Sequence, residues 1–303
     1  MAVKSYFGDL LEPGFRKIFN DAFKETERVF TQVFRMNSSS KQDERDSAVS
    51  GFGLLVPKPA GQPIQYEDPV QMYDVLYTHV TYAKGFKIEK ELYDDDQYNI
   101  MNKKPDALGR AARRTEETQA AAIWNNAFST TQLGGDAVPL ASTVHPRADG
   151  GTSQSNASST GLALSETNYE TVKLAMRRQR DDKGMRIDVK PTTLLVPIDL
   201  EKAANIIFNS KLRSNTADND MNPYLNEVKV IPWIYLTSAT AYFLIDADQH
   251  QVSWFWREKA NFKQDEAFET DVALFKVRER FSAGFSDWRG VYASRGDGAA
   301  YSD

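Results

Sequence analysis

Near the N-terminus apolar residues recur at three- and four-residue steps: Phe15, Ile18, Phe19, Ala22, Phe23, Thr26, Val29, Phe30, Val33 and Phe34. That spacing predicts an amphipathic helix of about 20 residues with a heavy phenylalanine face. It opens at Pro13, since a proline's missing N–H costs nothing at a first helical position. It stops before Asn37-Ser38-Ser39-Ser40, and a polar, charged run follows to Ser50. Burying six of the large side chains at ~1.5–3 kcal/mol each would contribute roughly 9–18 kcal/mol, so this face will not stay in water. It packs either into the chain's own core or, tethered by the polar run, on another subunit.

From Gly51 the pattern is extended. Pro57, Pro59, Pro63 and Pro69 exclude helix, and Lys58-Pro59-Ala60-Gly61-Gln62-Pro63 reads as a loop tip. Tyr73, Val75, Tyr77 and His79 alternate with Asp74, Leu76, Thr78 and Val80, and Phe86, Ile88 and Lys90 resume the alternation after Gly85. This predicts a long two-stranded hairpin, marginal without outside support. A second helix is expected over about Pro105 to Phe128, with a stripe of Leu108, Ala111, Ala112, Thr115, Gln119, Ala122, Ile123 and Phe128. Its small residues let another backbone approach, while Arg110, Arg113, Arg114, Glu116 and Glu117 fit its solvent side.

Gly134 to Gly161 has the Gly/Ser/Thr/Asn composition of a long loop, and loops of that length tend to be functional or mobile. Thr167-Asn168-Tyr169-Glu170 matches a capping box and opens a helix through Val172, Ala175 and Met176 that stops at Lys183-Gly184. Arg186-Ile187-Asp188-Val189 alternates, Thr192 to Val196 reads as a buried strand, and Asp199 caps a short helix with Leu200, Ala203, Ile206 and Ile207. Past a polar loop (Ser210 to Pro223), strands are expected near Glu227–Ile231, Ala241–Asp246 and Val252–Trp256. Ala267 to Arg280 alternates again, with Phe268, Thr270, Val272, Leu274, Lys276 and Arg278 on one parity, and Trp288 to Ala293 closes the set.

Composition narrows what these elements serve. The chain has 303 residues, more than one core usually holds, and 41% hydrophobic against 26% charged residues is enough to build a core. A net charge of −5, from 37 basic and 42 acidic side chains, argues against a dedicated nucleic-acid binder. The absence of cysteine excludes disulfides, thiolate zinc sites, iron–sulfur clusters and cysteine nucleophiles. Apolar stretches such as Ala120–Trp124 fall far short of the ~20 residues of a membrane-spanning helix. No uninterrupted apolar region marks a signal peptide, so folding in a cytoplasm is expected.

Candidate chemistry adds little. His79, His145 and His250 lie on three different expected elements, with no two at metal-binding spacing. Asp94-Asp95-Asp96, Asp218-Asn219-Asp220 and Asp246-Ala247-Asp248 offer carboxylates for Mg²⁺ or Ca²⁺, but none carries the EF-hand ligand pattern, and turn or cap carboxylates are the plainer reading. Nucleophile-elbow, Walker A and dinucleotide fingerprints are absent from the sequence. Arg177-Arg178-Gln179-Arg180 runs into Asp181-Asp182, a solvated helix end more than a phosphate site. No catalytic residue, cofactor or metal is nominated. Architecture without an active-site constellation favours a protein that works by shape and contacts. A carboxylate-dependent hydrolase, with its cleft beside the Gly134–Gly161 loop, stays open as a rival from another class.

The order of elements resembles the tailed-bacteriophage major capsid proteins, whose α+β fold is named after phage Hong Kong 97. Arg113-Arg114-Thr115-Glu116-Glu117-Thr118-Gln119-Ala120-Ala121-Ala122-Ile123-Trp124-Asn125-Asn126-Ala127-Phe128 is similar to the spine helix of Mu-like major head subunits. So are His145-Pro146, Leu164-Ser165-Glu166, Asp182-Lys183-Gly184, Pro191-Thr192-Thr193-Leu194-Leu195-Val196-Pro197, and the closing Phe275-Lys276-Val277-Arg278 to Asp287-Trp288-Arg289-Gly290-Val291-Tyr292. The resemblance implies an N-terminal arm with the amphipathic helix at 1–50 and an extended β-hairpin loop at 51–96. It implies the spine helix of the peripheral domain at 97–133 and a mainly axial domain at 134–250. Return strands of the peripheral domain and the C-terminus occupy 251–303.

It also implies a non-enzymatic structural protein that self-assembles as pentamers and hexamers into an icosahedral head around double-stranded DNA. Such a shell sums modest contacts over many symmetric copies. Its partners would be other copies of itself and scaffolding, portal and decoration proteins, with packaged DNA touched only non-specifically and no membrane. Its location would be the virion, after assembly in the host cytoplasm. Phe15, Phe19, Phe23, Phe30 and Phe34 are the arm's candidate assembly contacts. Lys58 is the loop's candidate, placed as in family members that cross-link a lysine to a neighbour's asparagine. An encapsulin-like shell or another virion protein, such as a tail tube, is the nearest alternative.

Overall fold

The computed structural model describes residues 7–25, 27–69, 71–89, 91–92, 95, 100–147, 150–212, 220–267, 269–270 and 272–301. Helix α1 (Phe7–Glu25) starts before Pro13, which sits inside it and removes one i→i−4 hydrogen bond. The phenylalanine periodicity outlasts α1: Phe30–Gln32 is a separate 3₁₀ turn. Val29 N–H donates to the Glu117 carboxylate at 3.0 Å instead of to the preceding helical turn, so one helix does not run through to Phe34. The expected polar linker is strand instead, β1 (Arg35–Ser38) and β2 (Asp43–Val49).

β3 (Gln71–Thr78) pairs antiparallel with β2, from Asp43 opposite Thr78 to Val49 opposite Gln71. β4 (Val80–Glu89) joins a different sheet. Only His79 separates β3 from β4, and a tight reversal needs at least two residues with turn chemistry, so these strands do not pair with each other. The hairpin expected at 51–96 is therefore β2–β3, with residues 50–69 as its long connection.

Helix α2 (Ile100–Asn125) buries Met101, Pro105, Leu108, Ala112, Glu116, Ala120 and Trp124 along one face. Arg113, Glu116 and Glu117 are on the buried side, not the solvent side, because the apolar stripe lies about one position away from the expected one. α1 crosses α2 where Gly109 leaves room: a Cβ there would stand 2.6 Å from Phe19 O. Long strands β8 (Val252–Ala267) and β9 (Val272–Phe285) form an antiparallel ribbon, and the first sheet runs β1-β8-β9-β4 with β1 parallel to β8. The alternation of 267–280 is thus the end of β8, a turn and most of β9. Phe15, Phe19, Leu108 and Ala112 pack with Ile88, Phe262, Phe275 and Val277, seating both helices on this sheet.

The second sheet is built from β5 (Thr193–Val196), β6 (Lys229–Pro232), β7 (Tyr242–Ile245) and β10 (Val291–Ser294), in the order β10-β7-β5-β6. The last strand therefore leaves the first sheet, and the return strands expected over 251–303 are shared between both sheets. Helices α3 (Glu166–Arg177) and α4 (Glu201–Asn209) pack against the second sheet through Tyr169, Val172, Met176, Ala204, Ile207 and Phe208. Ser165, not Thr167, caps α3, accepting from Asn168 N at 3.2 Å. α3 ends at Arg177 because Gln179 turns inward, donating to Val291 O at 3.1 Å and accepting from Gly290 N at 3.2 Å. Arg186–Val189 forms no strand beyond a bridge of Arg186 to Arg180. Asp199 lies in a 3₁₀ turn without capping α4, and Ile206 faces out. A third cluster runs between the sheets through Phe30, Phe34, Trp124, Trp233, Phe243, Trp254 and Trp288.

Candidate assembly surfaces

The connection between β2 and β3 is apolar and bare. Gly51-Phe52-Gly53-Leu54-Leu55-Val56 is followed by prolines that cannot donate to a ladder, so the run forms neither helix nor strand. Leu55 is 99% exposed, Tyr66 91% and Leu54 81%, with Val49, Phe52, Val56 and Ile64 also out. At its base Glu67 accepts from Gly53 N at 2.8 Å and from Lys183 Nζ at 2.5 Å, contacts that hold its carboxyl below the usual range, the lysine first. The hairpin is anchored lower down, where Tyr77 OH meets Ser286 Oγ at 2.6 Å and the Ser286 hydroxyl donates to Asp46. Lys58 stands exposed on this connection. Sequence reasoning singled out Lys58 and missed its apolar neighbours, although a Leu-Leu-Val run between glycines and prolines has nowhere local to pack.

The phenylalanines behave oppositely. Phe15 stacks edge-on to Phe275 at 5.2 Å, Phe19 lies 5.1 Å from Phe262, and Phe30 lies 4.7 Å from Trp254. Phe34 packs edge-on to Trp124 at 6.1 Å, and Phe23 is half-buried under Arg113, whose guanidinium carbon is 3.9 Å from its ring. Of the two readings of this face, the structure takes the first. Phe15, Phe19, Phe30 and Phe34 are buried in the chain's own core and Phe23 is half-buried, with Gly109 and Ala112 letting α1 settle onto α2.

Beneath the arm lies a buried charged belt. Arg113 donates through Nε (3.0 Å) and Nη2 (2.9 Å) to Phe23 O and pairs with Glu116. Glu117 accepts from Val29 N at 3.0 Å and Trp233 Nε1 at 2.8 Å. Glu279, on β9, is buried within reach of the Glu116 charge, and among the described residues Glu116 Oε1 and Glu279 Oε2 have no hydrogen-bond donor. Burial pushes Glu117 up to about 7; burial and then the Glu116 charge push Glu279 up to about 8. Arg113, Glu116 and Glu117 sit at the three- and four-residue spacing of the buried alanines, a signal present in the sequence and missed because charge was read as solvent.

The remaining polar groups are structural. His145 bridges Asp136 (2.7 Å) and Asn156 (2.9 Å) and stacks on Trp288 at 4.4 Å, which pins the Gly134–Gly161 segment to the C-terminal region. His79 is buried against Ser282 at 2.9 Å; His250, also buried, is held down to about 4 by burial. Asp246 caps the turn at Asp248 and Gln249. Asp182 holds Arg289 at 2.7 Å and is no solvated helix end. Asp94, Asp96, Asp218, Asn219, Thr26, Lys90 and Phe268 lie outside the described residues. Among the described residues no group of three or more His, Asp or Glu is placed to hold a metal ion, and no helix is long and apolar enough to cross a membrane. Glu116 and Glu279 are buried inside the core, whereas glycoside hydrolysis needs carboxyls roughly 5–9.5 Å apart that face a cleft with sugar between them.

A family model described as phage capsid protein matches residues 72–294. The chain belongs to this phage capsid protein family. It is a structural, non-enzymatic component of the virion, a major capsid protein and not a hydrolase. The curated proteins contain no match to the capsid protein. Its fold is shared with the bacteriophage JBD30 capsid, at TM-score 0.57 and 17% identity over 78% of this chain and 100% of that chain. The virus-like particle from Pyrococcus furiosus is similar at TM-score 0.55 and 9% identity, over 93% and 98% of the two chains. The capsid of a native GTA particle matches at TM-score 0.55 and 13% identity, over 92% of each. The capsid protein's α+β arrangement is thus the Hong Kong 97 type.

Proposed function

We propose that copies of this capsid protein assemble as pentamers and hexamers into a closed icosahedral head around double-stranded DNA. The observation that carries this reading is the bare apolar connection at 50–69, raised on a two-stranded hairpin. Contiguous apolar surface of this kind marks a protein–protein contact, and a shell supplies a neighbour for every copy. In this reading residues 7–34 are the arm, β2–β3 is the extended loop, α2 is the spine, and the two sheets are the peripheral and axial domains. Lys58 contributes to the loop's contact with the next subunit. Scaffolding, portal and decoration proteins are further partners, DNA contact is non-specific, and assembly takes place in the host cytoplasm. The likeness of Arg113–Phe128 to the Mu-like spine helix supports a place in that group. Negative-stain electron microscopy of the purified full chain tests assembly. Shells, rings or sheets are expected; monomers that persist at high concentration overturn the reading.

A further inference from the structure

Arg113, Glu116, Glu117 and Glu279 are each 2% exposed or less, and together they could carry three negative charges against one positive. Among the described residues no N–H or O–H donor of another group reaches Glu116 Oε1 or Glu279 Oε2. A buried carboxylate oxygen that finds no donor disfavours the charged form, so one of the pair holds a proton. The arm seals this pair: Phe23 O takes two hydrogen bonds from Arg113, and Val29 N–H donates to Glu117. We propose that the N-terminal arm is a proton-coupled latch: docking on α2 retains a proton on the Glu116–Glu279 pair, and undocking releases it to water.

The groups facing the pair are Arg113 and Glu117 on α2, Arg28 on the arm and Tyr82 across the strand on β4. Lifting the arm admits water and removes the burial that keeps Glu279 protonated. The docked acid sits at about 8, above an exposed glutamate at about 4.3, so the docked state binds the extra proton between these values. Docking therefore weakens as pH rises through that window, by up to about tenfold per pH unit, and tightens as pH falls. Glu117, raised to about 7, adds in the same direction. The latch belongs to the single subunit and does not depend on shell assembly.

Hydrogen exchange of the full chain, corrected for intrinsic rates, tests it between about pH 6 and about pH 9. Residues 7–34 should lose at least ~tenfold protection on raising the pH, while β5 and β7 keep theirs. Infrared spectroscopy should show a protonated-carboxyl band at neutral pH that fades over the same range. Glu279→Gln cannot ionise, and its arm protection should respond to pH over this range clearly less than wild type, the remaining response being that of Glu117. A wild-type arm whose protection is independent of pH overturns the latch, as does the absence of the neutral-pH band. So does a Glu279→Gln chain that responds to pH like wild type. The two wild-type readouts stand even if the variant does not fold.

Discussion

Two segments of this capsid protein carry large apolar side chains outside the sheets, and they use them in opposite ways. The arm puts Phe15, Phe19 and Phe30 at 3% exposure or less, whereas the β2–β3 connection leaves Leu54, Leu55 and Tyr66 at 81% or more. The arm had somewhere to go: α2 offers Gly109 and Ala112, and β8 and β9 offer an aromatic floor. The connection is restricted by its prolines and leaves its apolar side chains exposed. Hydrophobicity alone did not distinguish an internal anchor from an outward contact. The presence of a complementary groove within the chain did.

The contrast predicts where stability resides. Phe30 is fully buried between Trp254 and Trp256, so Phe30→Ala should cost about 3–5 kcal/mol, read as a lower urea midpoint. A loss under about 1 kcal/mol would mean the arm is not part of the subunit core. Gly109→Val is the next test. Its branches must displace the Phe19 carbonyl, and overpacking of this kind costs about 1–3 kcal/mol. The expected signature is local: protease cleavage in the arm speeds up while the second sheet stays protected. Unchanged cleavage would show that α1 does not depend on this crossing.

Much of this was legible before the structure. Three of the four strands of the second sheet follow from a short apolar run, because β5, β7 and β10 are buried on both faces and are too short to be helices. The heavy phenylalanine face and the small-residue helix that receives it were also readable. Pairing was not: β3 and β4 alternate alike, and only the lack of turn residues around His79 says that they part company. β2 was hidden because Asp43-Glu44-Arg45-Asp46 reads as linker, yet its backbone pairs regardless of side-chain charge. The belt on α2 was hidden for a related reason. Charge normally marks solvent, and the arm that covers Arg113, Glu116 and Glu117 lies 88 to 90 residues away in sequence.

The smallest expected effect on the subunit sharpens the comparison most. Leu55→Asp exchanges a side chain at 99% exposure, where no contact of the folded chain is lost, so subunit stability should stay within about 0.5 kcal/mol of wild type. The same charge in a dry contact between subunits would lack a partner and cost several kcal/mol at each copy of the interface. A shell repeats that cost at every neighbour, so particle formation should fail while the urea midpoint does not move. Measured side by side on one preparation, the two readouts separate the roles. If the subunit's stability falls by more than about 2 kcal/mol, the connection packs on its own chain as the arm does. If both readouts are unchanged, the apolar run lies outside the contact and the hairpin reaches its neighbour through other residues.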